Sequence, residues 1–167
     1  LLQAVDLNLY PEGGDLVAGL TNRVYFEART PAQKPADIAG VIVDSDGTEV
    51  AKFRSEHEGR GRFEFQPTAE GRYSLRITEP SGIDRLFPLP EVKPAGVVLR
   101  ANEDRTSADE PVVLEVAAST PGEYKVTLSQ REVEIASSSV QIAAGKASQV
   151  ELDPKQFGSG VLVATVW

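Results

Sequence analysis

The chain has 167 residues, neither cysteine nor methionine, and a formal charge of −8 with a pI near 4.7. That length suits one large domain or two of roughly 80 residues, and the missing cysteines exclude disulfides, thiolate metal sites and a cysteine nucleophile. The acidic balance argues against nucleic acid or an anionic membrane as partner, because both call for a basic stripe.

Proline and glycine recur too often for a 3.6-residue periodicity to develop, whereas alternation with period two appears repeatedly. The expected fold class is all-β. Val24, Phe26 and Ala28 alternate with Tyr25, Glu27 and Arg29, as in a half-buried strand. Between Ile38 and Phe53 two apolar runs flank DSDGTE (44–49), whose Asp-Gly pair fits a tight hairpin. RFEFQP follows, then TAEG and the alternating RYSLRIT, with Tyr73, Leu75 and Ile77 on one face. Tyr73 sits where the tyrosine of a Greek-key corner bonds backbone upstream. GRYSLRI (71–77) and GEYKVTL (122–128) share Gly-x-Tyr-x-aliphatic-x-aliphatic, which reads as a hairpin signature.

From Leu86 to Gly96 the prolines at 88, 90 and 94 hold the backbone extended and remove ladder donors. The domain boundary is placed there: a sandwich over 1–88, a proline-rich linker over 89–96, and a second, smaller sandwich over 97–167. The second half offers seven short strand candidates: GVVLRA, PVVLEVAAS, EYKVTLSQ, EVEIASS, SVQIAAG, SQVELD and GVLVATVW. Two immunoglobulin- or fibronectin III-like β-sandwiches in tandem are expected. No apolar run approaches the roughly 20 residues needed to span a bilayer, so no membrane insertion by this segment is expected. The absence of methionine and a last residue, Trp167, inside a strand pattern suggest a piece of a larger protein.

His57, between Glu56 and Glu58, is the one histidine and the natural candidate for a base or metal ligand. It lacks a nearby nucleophile or the three or four convergent ligands that such chemistry needs, so a solvated loop is expected around His57, Glu58, Arg60 and Arg62. Asp44, Asp46 and Glu49 are hard oxygen donors beside a glycine, but the twelfth-position glutamate and flanking helices of a calcium loop are missing. The acidic stretch 102–111, NEDRTSADEP, offers carboxylates of the kind that bind calcium between modules; solvation is the simpler reading. Tyr10, Tyr25 and Trp167 are too scattered in sequence to define a sugar-stacking platform. EGRGRF precedes a strand and so lacks the helix N-terminus of a phosphate site. No catalytic, cofactor-binding or metal-ligating residue is assigned, and no cofactor is expected.

LYPEGGDLVAGLTNRVYFEA (9–28) and VIVDSDGTEVAKFRSEHEGRGRFEFQPTAEGRYSLRI (41–77) resemble the macroglobulin domains of bacterial alpha-macroglobulin-like proteins, relatives of complement and of protease traps. In the second half DEPVVLEV and AGKASQVEL carry a weaker likeness. The resemblance implies fibronectin-like sandwiches strung together in a large periplasmic, outer-membrane-associated or extracellular protein. The family's thioester, Cys-Gly-Glu-Gln, and its bait insert are not in this segment, so no functional residue is carried over. The resemblance makes Gly59 and Gly61 backbone requirements of the turn before the Phe63 strand. The function it implies is a non-catalytic scaffold whose partners are neighbouring domains of its own chain and, through the parent protein, a protease. The alternatives are an adhesin or binding module for protein or glycan and, more remotely, an enzyme.

Overall fold

The computed structural model describes residues 4–107, 110–153 and 159–167. The fold is all-β, and the chain divides into two compact units, residues 1–94 and 95–167.

The first unit contains β1 (Asp6–Pro11), β2 (Leu16–Val17), β3 (Asn22–Arg29), β4 (Ala39–Val43), β5 (Glu49–His57), β6 (Arg60–Phe65), β7 (Ser74–Glu79), β8 (Leu86–Pro88) and β9 (Val92–Lys93). Seven of them are hydrogen-bonded in the order β1-β3-β6-β5-β4-β7-β8. One strand belongs to both layers of the sandwich. Glu49 to Arg54 of β5 pair with β4, whereas Ser55 and His57 pair with Gly61 and Arg60 of β6 after a register shift. A bulged strand that changes partners is how a continuous sheet turns a corner and closes over itself. The inward residues of β3 and β6 therefore share one core with those of β4, β7 and β8. β3 alternates buried Val24, Phe26 and Ala28 with half-buried Tyr25, Glu27 and Arg29, as its period-two pattern requires.

An aromatic chain runs through this core. Phe26 meets Phe53 edge-on at 5.3 Å between centroids, Phe53 and Phe63 lie at 6.3 Å, Phe63 and Phe65 at 6.0 Å, and Phe65 meets Tyr73 edge-on at 5.0 Å. β4, AGVIV, is buried on both faces. The register places its outward Val41 between Lys52 and Arg76, so long aliphatic stems flank it while the charged heads reach water.

The second unit is a smaller sandwich of β10 (Val97–Ala101), β11 (Val112–Ala118), β12 (Gly122–Gln130), β13 (Val133–Ile142), β14 (Lys146–Leu152) and β15 (Val163–Val166). One sheet has the order β10-β11-β14 and the other β13-β12-β15, with Leu114, Val116, Val126, Leu128 and Val150 between them. EVEIASS and SVQIAAG, expected as two strands, are one. Ser137, Ser138 and Ser139 pair with Thr127, Val126 and Lys125, so the serine run continues the ladder instead of turning.

The expected linker is mostly absorbed into the first unit. The Leu89 amide donates to Tyr73 O at 2.9 Å, and Val92–Lys93 pair in parallel with Leu16–Val17. Pro88 lies in β8, an edge strand, where a missing N–H is tolerated.

The shared Gly-x-Tyr pattern marks a corner and not a hairpin. β6 pairs with β3 and β5 while β7 pairs with β4 and β8; likewise β11 pairs with β10 and β14 while β12 pairs with β13 and β15. Each tyrosine thus follows a crossing from one sheet into the other. The Thr68 amide donates to the Tyr73 hydroxyl at 3.0 Å, and the Tyr124 hydroxyl donates to Thr120 O at 2.8 Å. Among the described residues no helix is long and apolar enough to cross a membrane.

Candidate functional site

The richest side-chain chemistry lies on the solvent face of β1, β3 and β6, where antiparallel register sorts residues into rows. Tyr10 stands directly opposite Tyr25, and Tyr25 opposite Arg62. On one side lies the row Asn8, Glu27, Arg60, and on the other Glu12, Arg23, Glu64, since Glu12 N bonds Arg23 O at 2.9 Å. Tyr10 is 53% exposed, and Tyr25 is half-buried.

Ion pairs join these rows. Arg23 reaches Glu64 at 2.9 Å and Glu12 at 3.4 Å, while Glu27 holds both Arg29, at 2.7 Å, and Arg60, at 2.9 Å. The hydrogen bonds from Arg29 and then Arg60 hold the Glu27 carboxyl below its ordinary value, and Glu27 in turn raises Arg29. For Arg23, burial pulls downward but the bonds to Glu64 and Tyr25 and the charge of Glu12 outweigh it. The result is a cross-strand tyrosine pair between a charge-balanced row, Asn8–Glu27–Arg60, and a row with one carboxylate in excess, Glu12–Arg23–Glu64, both presenting donors and acceptors. An open groove of about 630 Å³ adjoins it along Gly40, Lys52, Arg54, Glu56 and Arg62, where β5 changes sheets.

Scattered in sequence, Tyr10 and Tyr25 were not expected to meet. The alternation in DLNLYP, with Leu7 and Leu9 inward and Asp6, Asn8 and Tyr10 outward, signals a strand with Tyr10 on its wet face, but nothing in it names β3 as the antiparallel partner. Trp167 belongs to the other unit; its indole donates to Thr127 Oγ1 at 3.2 Å.

His57 does not sit in a loop of any length. It closes β5, pairs with Arg60 across a two-residue turn, and its side chain is 85% exposed, 3.9 Å from Glu58. Glu58 at φ 48° and Gly59 at φ 76° supply the two left-handed residues of such a turn. Gly61 is needed for a different reason: a Cβ there would lie 2.5 Å from Arg54 O and 2.7 Å from Phe26 Cζ. Arg60 and Arg62 are strand residues.

In DSDGTE the Asp44 carboxylate caps its own turn, accepting the amides of Asp46 at 3.0 Å and Thr48 at 2.8 Å. Two backbone donors on Asp44 Oδ1 match a hairpin and not a cation loop. In the acidic stretch 102–111 Asn102, Glu103, Asp104 and Glu110 are exposed, and residues 108 and 109 lie outside the described part. Among the described residues no group of three acidic or histidine side chains is spaced to hold a metal ion.

Two tandem β-sandwiches with a mixed aromatic and ion-paired sheet face define the class. No family model and no curated protein matches the chain. Solved structures do. Trypsin-activated alpha-2-macroglobulin from Escherichia coli matches at 12% identity and a TM-score of 0.39, covering 92% of this chain and 13% of that one. The adhesin InvE of Yersinia pseudotuberculosis matches at 14% identity and a TM-score of 0.37, covering 98% and 59%. The Escherichia coli adhesin FdeC matches at 12% identity and a TM-score of 0.37, covering 96% and 64%. The chain thus spans less than two thirds of each of these. Sandwiches without common descent share such likeness, and the fold rests on the strand order and cores above.

Proposed function

We propose that this chain is a non-catalytic structural segment of a large exported bacterial protein, of the alpha-macroglobulin-like kind that its first-unit motifs resemble. The observation that carries the reading is the shortness of the connection. The Ala18 amide bonds Lys93 O at 2.9 Å in the first unit, while in the second Gly96 N donates to Ser119 Oγ at 2.9 Å and Ser119 N to Gly96 O at 3.0 Å. Only Pro94 and Ala95 remain between these anchors, and a residue of extended chain reaches at most about 3.6 Å. Such a tether transmits displacement from module to module, as a scaffold or a closing protease trap requires. Its partners are then neighbouring domains of the same protein and, through that protein, a protease; its location is periplasmic, outer-membrane-associated or extracellular.

Inserting six Gly/Ser residues between Pro94 and Ala95 tests this. Small-angle scattering should show a broader distribution of intramolecular distances for the insertion variant. An unchanged distribution would mean that the connection transmits nothing.

The Tyr10–Tyr25 pair favours a second reading, a binding module for glycan or protein. Tyrosine faces stack on sugar rings, and the flanking Arg and Glu rows supply hydroxyl partners. Glycan-array binding lost on Tyr10→Ala, with unfolding unchanged, would put this reading first.

A further inference from the structure

The row Tyr10, Tyr25, Arg62 runs across β1, β3 and β6 and not along any one of them. The same-face neighbours of Tyr10 along its own chain are Asn8 and Glu12, and those of Tyr25 are Arg23 and Glu27, so the aromatic path continues from strand to strand.

Backbone bonding sets the step of this path. Glu12 N bonds Arg23 O at 2.9 Å, so Tyr10–Tyr25, two residues further on, is also a bonded pair of the β1–β3 ladder, with Cα atoms about 5.5 Å apart. The N–H and C=O of Tyr25 thereby face β1, which makes Tyr25–Arg62 a non-bonded pair with Cα atoms about 4.5 Å apart. The mean step, about 5 Å, is what one pyranose ring adds to an extended β-1,4-linked chain.

At its Arg62 end the row opens into the groove of about 630 Å³. Tyr10 and Tyr25 offer ring faces, and the groove offers donors and acceptors for hydroxyls. Charge is matched throughout. Each arginine bordering the tyrosines has a glutamate partner, Arg62 lying 3.8 Å from Glu56. The groove lining sets Lys52, Arg54 and Arg62 against Glu49, Glu56 and Glu79. Neither part holds an excess of cations for an anionic ligand.

We infer that this surface binds a linear, uncharged β-1,4-linked glycan laid across the strands, with successive pyranose rings on Tyr10, on Tyr25 and beside Arg62 and the next in the groove. The inference rests on the binding-module reading above and adds the linkage, charge and direction of the ligand. A protein partner fits worse. Two tyrosines between charged rows lack the charge-depleted core of a protein interface, whereas a sugar chain is as narrow as the row and meets the flanking donors and acceptors with its hydroxyls.

The probe is cellohexaose, titrated into the 167-residue chain and followed by amide NMR shifts. Saturation by about 1 mM is expected, with affinity rising at each added ring from cellobiose to cellotetraose and levelling off beyond, because the fourth ring already reaches the groove. Tyr10→Ala should weaken binding at least about tenfold, while Tyr10→Phe stays within about threefold, since stacking uses the ring and not the hydroxyl. Should Tyr10→Ala disturb β1, the shifts on the unaltered protein must still fall along Tyr10, Tyr25, Arg62 and Lys52. Maltohexaose, α-1,4-linked and coiled, and polygalacturonate, which is charged, should each bind at least about tenfold more weakly than cellohexaose. No saturation by cellohexaose, shifts elsewhere on the chain, or an affinity that does not grow with chain length overturns the inference. If a different glycan on an array then binds and is lost on Tyr10→Ala, the binding-module reading stands without this ligand; if no glycan binds, its glycan form falls as well.

Discussion

The Tyr73 hydroxyl accepts the Thr68 amide at 3.0 Å, five residues upstream, and its ring covers Gly71, so the crossing from β6 to β7 is closed by one side chain. Tyr73 is 8% exposed, and the hydroxyl also lies 3.3 Å from Thr68 Oγ1. Tyr73→Phe should cost about 1–2 kcal/mol, because the Thr68 amide loses a partner in a part-buried corner. The equivalent Tyr124→Phe should cost roughly 0.5 kcal/mol, since water replaces the exposed bond to Thr120. Urea unfolding of both variants checks the order; equal costs would mean that burial does not govern the corner.

Asn22 makes a second prediction. It is 1% exposed at the start of β3, where its Oδ1 accepts Val17 N at 2.8 Å and its Nδ2 donates to Val17 O and Leu20 O, each at 2.8 Å. This side chain folds residues 17–22 onto themselves and so presents β2 to β9. Asn22→Asp loses both donors and buries a charge, and should destabilise by about 2–4 kcal/mol. Asn22→Ser, retaining one polar group, should cost less. A loss below ~1 kcal/mol for Asn22→Asp would show that the turn holds without it.

What was legible follows from local physics. Alternation named the inward face of β3 and of Tyr73, Leu75 and Ile77, because a strand's side chains obey period two wherever it ends up. Asp-Gly named the β4–β5 hairpin because Gly47 needs φ 82°. Pairing between distant strands was not legible. The Tyr10–Tyr25 row depends on β1 lying against β3, and the corner role of Tyr73 and Tyr124 depends on which sheet receives the next strand. Val92–Lys93 looked like linker because prolines flank it, yet a parallel partner sixteen residues from the start of the chain captures it. Asn22 gave no periodic signal at all.

Gly59 and Gly61 separate two reasons for glycine in one hairpin. Gly59→Ala meets a φ of 76° and the backbone of Ala28 and Ala36. Gly61→Ala keeps an ordinary φ but drives a Cβ against Arg54 O and the Phe26 ring. Overpacking of this kind typically costs about 1–3 kcal/mol. Phe26→Leu should therefore rescue part of the Gly61→Ala loss and none of the Gly59→Ala loss, which a double-mutant cycle measures. His57→Ala, in the same hairpin, should leave stability within about 0.5 kcal/mol because its side chain is in solvent.

Glu27 makes stability depend on acid. Its carboxyl is held low by Arg29 first and Arg60 second, so the folded state binds its proton less readily than the unfolded chain, whose glutamates titrate near ~4.3. A depressed folded value means that the contribution is fully present above the unfolded value and disappears as pH falls through the folded one. The stability gap between wild type and Glu27→Gln should accordingly be constant from about pH 6 to 8 and shrink below about pH 4. Because the ion pairs reach solvent, 1 M salt should narrow the gap at neutral pH as well. Urea titrations at pH 7, 5, 4 and 3 read this directly. A gap that persists unchanged at pH 3 would assign Glu27 a packing role and leave the Arg29–Glu27–Arg60 cluster without electrostatic weight in the fold.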